Sequence, residues 1–180
     1  MDGKTLLVLS DTHGNVSTLE AVLRWVKSLQ DIMVGMAVFL GDGIRDLSRA
    51  VATTGYSCDW KIIRGNNDDG FSVPDTAVLD FCGNRFFLCH GHRYSLYSGY
   101  HILIAAARNV DANIALFGHT HVPCCENAGG IMLINPGSIG RPRSNTGATF
   151  ALVDCEPEES LAVRLWGIGP KGEIREMVVP

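Results

Sequence analysis

Three times in the first 70 residues, a short apolar run rich in strand formers stops at a cluster of turn and capping residues. Residues 4–10 (KTLLVLS) end at Asp11-Thr12-His13-Gly14-Asn15, residues 36–40 at Gly41-Asp42-Gly43, and residues 60–64 at Gly65-Asn66-Asn67-Asp68-Asp69-Gly70. Between the first two runs, Val16, Leu19, Val22, Leu23 and Val26 recur at helical spacing behind Asn15, a capping residue. A short helix through Leu47 and Val51 follows the second run. Repeated strand, turn and helix build an open α/β sheet, whose ligands collect beyond the carboxyl ends of the strands. The polar clusters fall there.

After residue 70 the alternation breaks. Runs at 77–82 and 85–89 flank Gly83-Asn84, a hairpin signal, so the sheet must be mixed. Residues 100–110 read as a helix with Ile104, Ala107 and Arg108 on one side, and residues 113–117 as a strand ending at Gly118. Further strands are expected at 131–135, 149–153 and 161–166, with an edge strand at 177–179. An α/β first half and a mostly β second half give two packed sheets with helices outside. No linker, repeat or low-complexity segment divides the chain, so one domain is expected over residues 1–180, with 46% apolar residues to fill its core.

Composition narrows the function. Charged residues make up 19%, the net charge is −4 and no block of like charge occurs, which argues against a grip on nucleic acid. The apolar run at 6–9 is too short for a membrane span or a signal-peptide core, so a cytoplasmic protein without a membrane partner is expected. In that setting the six cysteines are expected to stay thiols. A turn at Gly83-Asn84 would set Cys82 opposite Arg85 and Cys89 opposite Val78, too far apart to bridge. Adjacent Cys124 and Cys125 lack the spacing of a zinc clip and read as small buried residues.

The chemistry lies at the strand ends. Asp11 and His13 follow the first strand, Asp42 the second and Asn66 the third; His90 ends the hairpin, and His119 and His121 follow Gly118 in Gly-His-Thr-His. Turn formation explains the acids and the Asn, but gives no reason for four of the chain's six histidines to sit there. Carboxylate, amide and imidazole together suit manganese first, then iron, zinc, cobalt or nickel, and suit magnesium or calcium less. Seven such groups are too many for one catalytic zinc but fit two divalent transition-metal ions sharing a carboxylate.

The order Asp11-x-His13, Gly41-Asp42, Gly65-Asn66-x-Asp68, His90 and Gly118-His119-Thr120-His121 resembles the calcineurin-like metallophosphoesterase superfamily, over residues 11–143. Asn135-Pro136-Gly137-Ser138 behind those motifs, and the small size, resemble its YfcE-type phosphodiesterase branch in bacteria and archaea. The resemblance implies a four-layer α/β/β/α sandwich of two mixed sheets flanked by helices. It implies that Asp11, His13 and His121 bind one metal, that Asn66, His90 and His119 bind the other, and that Asp42 bridges both. The expected reaction is hydrolysis of a small phosphodiester, with a hydroxide bridging two metal ions attacking phosphorus in line.

Around these ligands, Asp68 and His92 are candidates for catalytic support, and His92 and Arg143 for contact with phosphate. His101, inside a helical pattern, reads as structural. Many superfamily members carry His directly after the metal-binding Asn; here Asn67 stands in that catalytic and substrate-binding position. An amide cannot act as a general acid near neutral pH, nor meet the extra charge of a phosphomonoester, so a preference for diesters is expected. Two other readings use the same fold. The retromer subunit resembling these enzymes serves as an interaction scaffold, which loss of metal-binding histidines would mark, yet all seven positions are filled here. A nuclease would need a groove for a long polyanion, which the acidic balance does not suggest. A homo-oligomer is left open.

Overall fold

The computed structural model describes residues 4–30, 32–155 and 160–177. In chain order it contains β1 (Lys4–Leu9), α1 (Val16–Ser28), β2 (Met33–Phe39), α2 (Ile44–Thr54), β3 (Asp59–Ile62), β4 (Thr76–Phe81) and β5 (Asn84–Cys89). A 3-10 turn at Leu96–Ser98 leads to α3 (His101–Arg108) and then β6 (Ile114–Leu116), β7 (Cys124–Ala128) and β8 (Ile131–Asn135). The chain continues through β9 (Ala148–Cys155), β10 (Leu161–Ile168) and β11 (Ile174–Glu176).

Both sheets are mixed. One runs β11-β10-β9-β1-β2-β3, with β1, β2 and β3 parallel and β9 to β11 antiparallel. The other runs β4-β5-β6-β8-β7, parallel from β5 through β6 to β8. Period-two alternation along β1 explains how they stack. Leu7 and Leu9 pack with Leu19, Val22, Leu23 and Val26 of α1 and Leu47 of α2, on the outer side of the first sheet. Leu6 and Val8 face the other way, against Phe86, Leu88, Leu116 and Ile134 of the second sheet. A third cluster joins Leu103 and Ala107 of α3 to Phe87, Ala115 and Leu133. Three apolar layers between four structural layers make the α/β/β/α sandwich, each fully buried Leu or Val contributing about 1.5–3 kcal/mol.

Local chemistry sets the helix ends. Asn15 caps α1 by accepting from Thr18 N at 3.2 Å. Gly43 at the start of α2 has no cap side chain of its own, and Asp68 substitutes from another loop, Oδ1 accepting from Gly43 N and Ile44 N at 2.9 Å each. Among the described residues, no helix is long and apolar enough to cross a membrane.

Five details depart from the sequence expectations. Phe81 pairs with Asn84, so the hairpin turn is Cys82-Gly83, both at positive φ, and Cys89 lies opposite Thr76 rather than Val78. Cys82 is not a thiol; it forms a disulfide with Cys155 at the end of β9, linking the two sheets. That partner lies 73 residues away, beyond any argument from hairpin register. Cys124 and Cys125 are half-buried on β7, an edge strand whose polar sequence CCENA carried no strand signal. Helix α3 buries Leu103 and Ala107, leaving Arg108 exposed. The last edge strand is Ile174–Glu176; Met177 lies just beyond it, and 178–179 fall outside the described residues.

Candidate metal centre

All seven candidate ligands stand at one end of the two sheets, in the loops leaving β1, β2, β3, β5 and β6. Asp11, His13, Asp42, His119 and His121 have positive φ, between 43° and 66°. Each such non-glycine residue costs of order 1–3 kcal/mol and persists only where surrounding bonds hold it.

Those bonds are present. Asp11 N donates to Gly41 O and Thr12 N to Asp42 O, at 3.0 Å each, tying the first loop to the second. Buried Asp46 accepts from Gly14 N and Thr12 Oγ1 through Oδ2, both at 2.7 Å. Buried Asp68 accepts four backbone N–H bonds, from Asp42 (2.6 Å) and Gly65 (2.9 Å) at Oδ2 and from Gly43 and Ile44 at Oδ1. Backbone N–H groups thus occupy both its oxygens, and Asp68 ties the loop after β2 to the loop after β3. The segment Asn135-Pro136-Gly137-Ser138 works the same way: Asn135 Nδ2 donates to Gly118 O and Thr120 Oγ1 at 3.0 Å, and Ser138 Oγ to Asp11 O at 2.7 Å. Gly65 and Gly118 are needed for close approach, since a Cβ would meet Asp42 Oδ1 at the first and Ser10 Oγ and Asp11 Oδ2 at the second.

The ligand atoms converge. His121 Nδ1 donates to Arg141 O at 2.6 Å and His90 Nδ1 to Leu40 O at 2.7 Å, which leaves each Nε2 bare in the neutral ring. His121 Nε2 lies 3.0 Å from Asp11 Oδ1 and 3.2 Å from His13 Nε2. His90 Nε2 lies 3.1 Å from Asn66 Oδ1. Asp42 Oδ2 lies 3.6 Å from both His13 Nε2 and His90 Nε2, so it spans the two sets. Asp11 Oδ1 is buried without a hydrogen-bond partner among the described residues. Lone pairs facing lone pairs need a cation or protons between them. Burial alone would push Asp11 up, but contacts with His121 and His13, then neighbouring His90 and Ser10, hold it well below the usual carboxylate range. Burial would likewise push His121 down, and Asp11 reverses it. Asp11, His13 and His121 form one compact group, and Asp11, Asp42 and His90 another. Such a donor set fits divalent transition-metal ions.

The remaining expected residues surround these groups at various distances. His119 belongs to neither compact group; its ring lies 5.1 Å from that of His90, and its N–H donates to Asp11 Oδ2. Asn67 turns toward Asp42, its N–H donating to Oδ1 at 2.8 Å and its Nδ2 to Oδ2. His92 is not among the residues around the centre's open cavity; it lines a neighbouring one of about 230 Å³ with Asp75, Arg93 and Tyr94. Burial, then the His90 charge, lower its pKa. Exposed Arg143 does line the centre's cavity, and Nη1 donates to Tyr97 Oη at 2.6 Å. His101 is exposed at the start of α3. Sequence reasoning missed Asp46 and Tyr97: an acid inside a helix and a tyrosine in a connecting segment carry no motif.

The profile of the calcineurin-like phosphoesterase superfamily domain matches residues 5–158. Phosphodiesterase YfcE of Escherichia coli (strain K12) is 28% identical over 169 residues, covering 83% of this chain and 86% of that protein. A conserved protein of Streptococcus pneumoniae TIGR4, described as a predicted phosphoesterase, superposes with a TM-score of 0.75 at 27% identity over 98% of each chain. Wild-type Vps29 of Entamoeba histolytica, solved with zinc, shares the fold at 20% identity, with a TM-score of 0.74 over 96% of this chain and 97% of that one. With most of its length matched and its strand-end loops gathering the superfamily's ligand types around one point, this chain belongs to the calcineurin-like phosphoesterase superfamily.

Proposed function

We propose that the chain is a phosphodiesterase that holds two divalent transition-metal ions, manganese foremost, and hydrolyses small diesters. Asp11, His13 and His121 would hold one ion, Asn66, His90 and His119 the other, with Asp42 between them. The observation that carries this reading is the convergence of bare imidazole nitrogens on carboxylate and amide oxygens, an arrangement of acceptors that cations satisfy. Bound there, two cations lower the pKa of a water and neutralise phosphate oxygens.

The chain's own groups do the rest. The Arg141 and Leu40 carbonyls fix the tautomers of His121 and His90, keeping each Nε2 aimed inward. Asp46 and Asp68 hold the strained loops so that the ligands need little reorganisation. Arg141 and Arg143, beside the same cavity as His13, Asp42 and His119, offer positive charge to a phosphate. Asn67 braces Asp42 and supplies no cation. The dianion of a monoester therefore finds less compensation than a histidine at this position would give, and the diester monoanion is favoured.

The likeness to the Escherichia coli phosphodiesterase YfcE supports the phosphodiester reading. The likeness to Vps29 is one of fold, and the complete ligand set favours catalysis over a scaffold role. The test is kcat/KM of the metal-loaded protein for bis-(4-nitrophenyl) phosphate against 4-nitrophenyl phosphate at one pH. A higher value for the diester is expected; a clear preference for the monoester refutes the proposal.

A further inference from the structure

Two cavities open beside the metal centre and share His13, Asp42 and Asn67 as a common wall. One, of about 250 Å³, is also lined by Arg45 and Phe71, the guanidinium lying 6.0 Å from the ring centroid. The other, of about 370 Å³, is also lined by Arg143, which is hydrogen-bonded to Tyr97. Tyr97 is 68% exposed and its ring stands 5.9 Å from the ring of His119. Each cavity is thus lined by an arginine that contacts a flat aromatic ring, Phe71 within the lining of the first and Tyr97 beside the second. Among the described residues neither Arg45 nor Arg143 has a carboxylate within ion-pair distance, so both charges are open to an anion.

Neither aromatic face is needed by the metal centre. Tyr97 uses its hydroxyl toward Arg143 and His119 O, its ring is tilted against that of His119, and most of its surface is left to solvent. A phosphate at the shared wall would direct one ester arm into each cavity. Each cavity lies near the lower end of the ligand-pocket range, room for one small arm and not for a whole bulky substrate. A monoester, with one arm, would leave a cavity empty, and a methyl arm would leave a ring face bare.

Building on the phosphodiesterase reading, we propose that the two cavities are subsites for the two ester arms of one diester, and that Phe71 and Tyr97 select arms carrying a flat ring of phenyl or nucleobase size. Stacking against each face, with an arginine beside it, supplies the preference.

The experiment is calorimetric titration of the metal-loaded protein with diphenyl phosphate and dimethyl phosphate, monoanions that differ only in their arms. Diphenyl phosphate should bind at least about tenfold tighter, two stacked rings each contributing about threefold to tenfold. Tyr97→Ala and Phe71→Leu, the latter keeping apolar bulk against the core without a flat face, should each lower that ratio about threefold to tenfold. Phe71→Trp should preserve it, which separates loss of stacking from loss of fold. Equal affinities for the two phosphates, or a ratio unmoved in both variants, overturn the subsites. If the protein nevertheless hydrolyses bis-(4-nitrophenyl) phosphate, the phosphodiesterase reading survives them. If it hydrolyses only 4-nitrophenyl phosphate, both fall.

Discussion

Asp68→Asn is a nearly isosteric change that tests whether a buried carboxylate, rather than the ligands themselves, holds the site in shape. Two backbone donors converge on each carboxylate oxygen, Asp42 N and Gly65 N on one, Gly43 N and Ile44 N on the other. Whichever oxygen becomes an NH2 group, two buried N–H groups then face a donor. At about 1.5–3 kcal/mol for each hydrogen bond to a charged group, the loss comes to about 3–6 kcal/mol. A domain of this size has only about 5–15 kcal/mol in hand. With about 2–4 °C per kcal/mol, the expected fall in Tm is about 6–24 °C. Asp69→Asn, at the exposed next position, is the control and should stay within about 0.5 kcal/mol. Urea and thermal unfolding of the metal-free proteins measure this without interference from bound ions. A loss below about 1 kcal/mol for Asp68→Asn would refute the assignment of Asp68 as the brace of these loops.

Asp42→Asn should lower kcat/KM by at least about a thousandfold, because in the proposed centre this carboxylate would face two cations and be worth several kcal/mol there, whereas His92→Ala, in the neighbouring cavity, should cost far less. Comparable losses at unchanged metal content would show the ligands misassigned. Gly65→Ala puts a Cβ against Asp42 Oδ1 and should weaken metal binding in calorimetric titration while costing about 1–3 kcal/mol of stability; unaltered affinity would contradict the close approach. Asn67→His should raise monoester relative to diester hydrolysis, read as the ratio of the two kcat/KM values. An unmoved ratio would mean that charge at this position does not set the preference.

Much of the site was legible because its chemistry is written where strands stop. Turn formation does not call for histidine, so His13, His90, His119 and His121 stood out at strand ends, and the fold brings all four to one end of the sheets. The layering was expected from an α/β first half followed by a mostly β second half, and in the fold Leu6 and Leu7 of one strand serve opposite faces. What escaped depends on contacts distant in sequence. The Cys82–Cys155 disulfide crosses between sheets, and Asp46 reaches back to the loop at 12–14, with nothing local to mark either. His92, two residues past a candidate ligand, lines a neighbouring cavity together with His90, its ring 5.4 Å from that of His90 and 6.2 Å from that of His119. Strand β7 carries polar residues on a sheet edge, where burial does not impose a pattern.

The account rests on two metal ions per chain, and elemental analysis of metal-stripped and reconstituted protein, paired with hydrolysis of bis-(4-nitrophenyl) phosphate, tests it most directly. Activity should be absent after stripping, return with added manganese or a similar transition ion, and reach its maximum at two ions bound per chain. Full activity at a saturated stoichiometry of zero or one would contradict the two-metal centre.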